Sequence, residues 1–262
     1  MDDELIKFKD VKKRFGKKII LESVNLTIPE KKITGIIGAS GEGKTTILKL
    51  LVGFYTPSSG EILYSKRDIR KEPNMKNIFG FATEDGSFHE RLSIWENLIH
   101  FGRLHHVSNK KLRERAEDLM ELVGLSYAKD TMAGELSMGM KKRLDVAISL
   151  LHEPEVLIMD EPTADLDPLL RDQMLDLIKK INKDSTTVIL TTQLLGEMDK
   201  ICDKIIILFE KRIVEEGTPK QIKERYNAKD LDEVFNKIFS RRTSARRLTK
   251  DQLDNELDEL EK

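Results

Sequence analysis

The feature that most constrains this chain is the turn Gly38-Ala39-Ser40-Gly41-Glu42-Gly43-Lys44-Thr45-Thr46, set between the apolar run Ile33-Thr34-Gly35-Ile36-Ile37 and the helix-like Ile47-Leu48-Lys49-Leu50-Leu51. It fits G-x-x-x-x-G-K-[ST] in the context that gives that pattern a mechanical meaning, a strand feeding a helix through a tight turn. The glycines let the backbone curl so that successive N–H groups point inward, and the helix N-terminus adds partial positive charge, which together make a socket for phosphate. Lys44 has the reach for the outer phosphates of a bound nucleotide, and the Thr45 hydroxyl can ligate Mg²⁺. The plainer alternative is a glycine-rich turn with a solvated lysine. Glycines, Lys and Thr all in register between the right elements argue against it.

Around this turn the chain alternates. Leu5 to Val11 reads as a half-buried strand, Ile19-Ile20-Leu21 and Val24 to Ile28 as further strand stopped by Pro29. Ile33 to Ile37 is too apolar to be half solvated and suits a buried strand. A helix follows from Lys44 to about Val52, then a short strand over Glu61 to Tyr64 and another over Ile78 to Ala82. From Ser93 to Val123 apolar residues recur at three- and four-residue steps, the mark of amphipathic helices, and a third helix is expected from about Met138 to His152. The strand Val156-Leu157-Ile158-Met159 and a helix–strand alternation to residue 218 complete an α/β pattern. Helical segments recur at Pro219 to Tyr226 and Asp230 to Phe239. The tail 241–262 begins basic and ends acidic, either a short partner-binding helix or a solvated tail.

The chain has 45 basic and 46 acidic residues, so nothing in its bulk charge argues for nucleic acid as a partner. Its one cysteine, Cys202, rules out an internal disulfide and reads as a small apolar residue near a strand. The N-terminus lacks a secretory pattern and no apolar run reaches membrane-spanning length, so a cytoplasmic protein is expected, with any membrane role mediated by a partner.

A phosphate socket of this kind needs a distant acid, and Asp160-Glu161 at the end of the apolar strand supplies it. Such a strand can set the Asp160 carboxylate beside the strand that carries the turn, where it would hold Mg²⁺; Glu161 is then placed to polarise an attacking water. Between these motifs stands Leu136-Ser137-Met138-Gly139-Met140-Lys141-Lys142-Arg143-Leu144-Asp145. With it the sequence resembles the ATP-binding cassette (ABC) family over roughly residues 5 to 240, Leu136 to Met140 standing for the family's L-S-G-G-Q-like signature.

The resemblance implies an α/β fold: a P-loop NTPase core sheet with an antiparallel β N-terminal part and an inserted α-helical subdomain at about 85–152, all within 1–240. It implies that Gly38 to Thr46 cradle ATP, that Phe15, followed by Gly16, stacks on adenine, and that Ser137 and the Gly139 backbone reach the ATP held by a second copy. Asp165-Leu166-Asp167 looks like the D-loop, making Asp167 a dimer-contact candidate, and Trp95-Glu96-Asn97-Leu98 resembles a region that docks against a transmembrane subunit. The bland reading of Phe15 and of Trp95 is ordinary packing. Met140 followed by Lys-Lys-Arg-Leu-Asp resembles cassettes of drug- and antibiotic-export transporters.

Two positions depart from the family pattern. Glu84 stands where a Gln is expected; as a hard oxygen ligand it could reach Mg²⁺, at the cost of extra negative charge near ATP. Gln193 stands where a switch His is expected; its amide can donate to the γ-phosphate but cannot become cationic. Met138 puts a side chain where the signature has none. With Lys44, Asp160 and Glu161 present, the expectation is a slow Mg²⁺-dependent ATPase, the ATP-hydrolysing subunit of an export-type ABC transporter, working as a homodimer on the inner face of the cell membrane beneath a separate integral membrane permease subunit. The alternatives are a soluble ABC ATPase without a transporter and a cassette that binds ATP with little hydrolysis.

Overall fold

The computed structural model describes residues 4–71 and 77–240; the expectations for the tail 241–262 lie outside them. Two sheets share the chain. Strands β1 (Glu4–Phe15), β2 (Lys18–Pro29), β4 (Ser59–Tyr64) and β5 (Arg67–Asp68) form an antiparallel sheet in the order β2-β1-β4-β5. The second sheet runs β10 (Arg212–Gly217), β9 (Lys204–Phe209), β3 (Ile33–Ile37), β8 (Thr187–Thr192), β7 (Val156–Asp160), β6 (Phe79–Ala82), parallel except for the β9–β10 hairpin.

The near-continuous apolar runs of the central strands follow from burial on both faces. Ile36, Ile158, Ile189, Ile206 and Leu208 point into a core shared with the antiparallel sheet and with α1 (Lys44–Leu51). Their neighbours Ile37, Leu157, Met159, Val188, Leu190, Ile205 and Ile207 point into a second core closed by the later helices. Helix α1 is thus held between the two sheets, with Ile47, Leu48, Leu50 and Leu51 buried.

Between β6 and β7 the chain forms three helices that pack on one another: α2 (Ile94–Leu104), α3 (Asn109–Leu122) and α4 (Met138–Ser149). Ser93 and Glu96 close α2 with a reciprocal capping box, Ser93 Oγ accepting from the Glu96 N–H and the Glu96 carboxylate from the Ser93 N–H. Beyond β7 come α5 (Pro168–Lys183), α6 (Leu195–Ile201), α7 (Pro219–Tyr226) and α8, a helix over 231–240. No helix among the described residues is long and apolar enough to cross a membrane.

One sequence expectation is corrected here. The strand ending in Asp160 does not lie beside the one carrying the glycine turn: β8 intervenes, Asp160 pairing in register with Thr191 and Ile37 with Thr192. Two strand spacings amount to about 10 Å. A long side chain, not strand adjacency, therefore has to close the gap. The two strand segments on either side of Ser23 are likewise one strand, β2, with Ser23 at φ 52 and accommodated in an irregular register with β1.

Candidate nucleotide site

At the C-terminal edge of the parallel sheet the chain leaves β3 into the glycine turn. Gly38 has no room for a side chain, since a Cβ there would stand 2.6 Å from the Leu208 carbonyl oxygen. Gly43, at φ 109, caps α1 in a left-handed conformation and would set a Cβ 3.0 Å from Leu21 Cδ2. No side chain caps this helix, so its first-turn amides keep their donors for an anion. Glu42 is turned away from the socket, its carboxylate accepting from the Lys211 N–H at 3.1 Å. Ala39, Ser40 and Gly41 are exposed on the rim; Thr45 and Thr46 are half-buried in the first turn of the helix.

Lys44 closes the gap that β8 opens. Its Nζ donates to the Gly38 carbonyl at 2.8 Å and to the Ala39 carbonyl at 3.3 Å, and pairs with Glu161 Oε1 at 3.3 Å. Both partners are buried, Lys44 6 % and Glu161 7 % exposed. Three donors and three acceptors satisfy an ammonium that would otherwise be costly to bury. The other oxygen of Glu161 accepts from the Gln193 N–H at 3.2 Å, and its own N–H donates to Thr191 Oγ1 at 3.0 Å. Glu161 sits at φ 50, a sparsely populated conformation for a non-glycine residue.

Asp160 is 3 % exposed; one carboxylate oxygen accepts the Thr191 hydroxyl at 2.5 Å, and the other accepts no hydrogen bond among the described residues. Among those residues no group of three or more His, Cys, Asp or Glu converges to hold a metal. A buried carboxylate with a free oxygen and, at the start of α1, the Thr45 hydroxyl are the kinds of donor Mg²⁺ uses when most of its shell comes from phosphate and water.

The remaining residues singled out in the sequence are spread more widely. Phe15 is not core: it is 43 % exposed, edge-on to Tyr55 at 5.0 Å between ring centroids, with Lys13 Nζ 4.7 Å from its ring centre. Trp95 packs against the second core and carries Lys129 Nζ 3.8 Å over its ring. Ser137 is the exposed N-cap of α4, its hydroxyl accepting from the Met140 N–H at 3.4 Å, while Gly139 is buried against Leu170. Asp167 caps α5, its carboxylate accepting from the Leu169 and Leu170 N–H groups at 3.0 Å each.

Glu84 is not brought to Thr45 or Asp160 by any hydrogen bond. It is exposed on the edge of a cavity of about 410 Å³ lined also by Phe88, Met138, Lys141 and Lys142. The Gln193 side chain is exposed; only its main-chain N–H enters the cluster. Cys202 is buried, its thiol pushed well up from its ordinary pKa by that burial, and lies 3.4 Å from Met198 Sδ.

Sequence reasoning missed Thr191, which bridges Asp160 and Glu161, and it missed Lys142 and Asp145 on α4. The Asp145 carboxylate accepts the Thr83 and Ser87 N–H groups at 2.7 Å each, and burial raises its pKa to about 6. The available signal for Thr191 was the Thr191-Thr192 pair closing the apolar run Val188-Ile189-Leu190.

A glycine-lined phosphate turn feeding a buried helix, answered from two strands away by an Asp-Glu pair, defines a P-loop nucleoside triphosphatase. The chain belongs to the ABC transporter family, whose model matches residues 21–164; it is an ATP-binding subunit and an ATPase of that family. It is 35 % identical over 236 residues to the daunorubicin resistance ATP-binding protein DrrA3 of Streptomyces coeruleorubidus, covering 90 % of this chain and 75 % of that protein. It is 32 % identical over 245 residues to the lantibiotic transport ATP-binding protein SrtF of Streptococcus pyogenes, covering 91 % of this chain and all of that one. Among solved structures, cbiO1 of Clostridium perfringens, part of the ABC transporter complex cbiONQ, superposes with a TM-score of 0.78 at 26 % identity, covering 95 % of this chain and 99 % of that one.

Proposed function

We propose that this chain is the ATP-hydrolysing subunit of an export-type ABC transporter, working as a homodimer at the inner face of the membrane beneath a separate integral membrane permease. The observation that carries the hydrolytic reading is Lys44, held between the Gly38 carbonyl and the Glu161 carboxylate. A cation aimed at the phosphate turn is joined there to the acid that would activate water. In this reading Gly38 to Thr46 wrap the phosphates, Phe15 offers a ring face to adenine, and Glu161 orients the attacking water. Thr45, Asp160 and Glu84 would hold Mg²⁺, which supplies charge neutralisation on the phosphate oxygens. Ser137 and Gly139 would complete the site of a second copy, another helix N-terminus presented to an anion. Gln193 leaves the site without a cationic side chain at the switch position, so turnover is slow.

Export is supported by the Met140-to-Asp145 run and by relatives named for daunorubicin resistance and lantibiotic transport. The test is extraction of the tagged full chain in mild detergent. An integral membrane protein in stoichiometric amount is expected. Recovery in a purely soluble assembly would instead favour the non-transport ATPase.

A further inference from the structure

The inward-facing charges of α4 lie outside the phosphate turn and bond the main chain of the 83–87 segment and of Glu161. Lys142 is 7 % exposed, and its ammonium pairs directly with no carboxylate among the described residues; Asp145, one turn along, is the acid nearest in effect. Its Nζ donates instead to two main-chain carbonyls on separate segments, that of Glu84 at 2.6 Å and that of Glu161 at 3.4 Å. A buried ammonium is costly, and an apolar side chain of similar length would cost the fold less if packing were all that the position required.

The two acceptors are what distinguish this lysine. Glu161 has its backbone in the left-handed region, so the direction of its carboxylate depends on the peptide groups around it being held. Its N–H is held by Thr191, and its carbonyl by the Ala164 N–H at 3.1 Å and by Lys142. The segment 83–87 is clipped to the same helix at three main-chain points: the Thr83 and Ser87 N–H groups on Asp145, and the Glu84 carbonyl on Lys142. Helix α4, capped by Ser137, thereby joins the Glu84 segment and Glu161 into one unit.

We infer that Lys142 is a positioning residue for hydrolysis, fixing the main chain of Glu161 against the Glu84 segment so that the Glu161 carboxylate keeps its aim. The inference rests on the reading of Glu161 as the base. Lys142 is not expected to touch nucleotide, so its removal acts on turnover and spares binding.

The experiment compares Lys142→Met, Lys142→Gln and Lys142→Arg in the full chain, measuring kcat, KM for ATP and amide hydrogen exchange. Lys142→Met should lower kcat about tenfold or more while KM moves less than about twofold, because misplacing a catalytic group costs rate more than affinity. Lys142→Arg, with donors to reach both carbonyls, should recover most of the rate. Should Lys142→Met fail to fold, Lys142→Gln carries the comparison. Exchange at 83–87 and 161–164 should quicken in the Met variant and return towards wild type in the Arg variant. A kcat within twofold of wild type, equal losses for Met and Arg, or unchanged exchange would each overturn the inference. Wild-type phosphate release that ignores Glu161→Gln would overturn the reading of Glu161 instead, and the exchange data would still decide whether Lys142 clamps the two segments.

Discussion

The phosphate turn and the signature turn are both helix N-termini, and the chain treats them oppositely. Around Lys44 the charged groups are enclosed: its ammonium, the Glu161 carboxylate and Asp160 are buried and hydrogen-bonded or paired within the chain, while only the rim at Ala39, Ser40 and Gly41 is exposed. Around Ser137 everything faces outward, with Ser137 exposed, Met138 49 % exposed and only Gly139 tucked against Leu170. A buried, hydrogen-bonded charge cluster is prearranged and needs no second molecule to acquire its geometry. The signature turn is an exposed surface whose Met140 N–H is already taken by the Ser137 hydroxyl, so what it offers a partner is the Ser137 side chain and its outward face. The contrast suits a site made from two copies, in which the catalytic half is finished before assembly and the other half is a surface.

The largest effect that could break this comparison is at Glu161. Glu161→Gln should cut steady-state phosphate release by about a hundredfold or more, with ATP still bound in equilibrium dialysis. If release persists, the enclosed half is not the catalytic one.

A mixing experiment addresses the second half. Lys44→Ala damages the phosphate turn and Ser137→Glu the outward one; each alone should be inactive. Mixed in equal amounts, hybrid dimers contain one site with both halves intact, so about a quarter of the wild-type sites should return. No recovery on mixing, with both variants folded, would mean that the two turns do not meet across copies.

A smaller gain is expected at Gln193, whose main-chain N–H serves Glu161 whatever its side chain is. Gln193→His keeps that bond and adds a group able to carry positive charge near the phosphate, so kcat should rise about tenfold or less. An unchanged rate, with Glu161→Gln inactive, would remove the switch position as the cause of slow turnover.

The smallest effect lies away from both turns and calibrates stability alone. His152 donates through Nε2 to the Phe79 carbonyl at 3.1 Å and stacks on His105 at 4.0 Å between ring centres; burial lowers its pKa to about 4. The unfolded chain takes up a proton at this residue near pH 6.5, the folded one only near 4, so its contribution to stability is present above 6.5 and is lost as pH falls towards 4. The melting temperature of His152→Gln should therefore fall less steeply than that of wild type between pH 7 and 4.5, with the two compared in the same buffers.

Much of the first half of the site was legible because it is written in consecutive residues. Glycines, Lys44 and Thr45 at fixed offsets between a strand and a helix determine a local turn whose donors point one way, and the apolar run into Asp160-Glu161 determines a buried strand with acids at its exit. Cys202 as a small apolar residue near a strand was legible for the same reason. Chain topology decided the rest. That β8 separates β3 from β7 depends on how crossovers are laid down, and no short stretch records it; the lysine bridge and the Thr191 relay follow from that order. Only packing revealed that Lys142 and Asp145 turn inward, that Asp167 spends its carboxylate on capping α5, that Glu84 lines a cavity with Met138 and Lys142, and that the main-chain N–H of Gln193 donates to Glu161. Sequence spacing fixes direction over a turn or two of helix or a strand's length, whereas which side chains meet across the sheet is set by contacts between residues far apart in the chain.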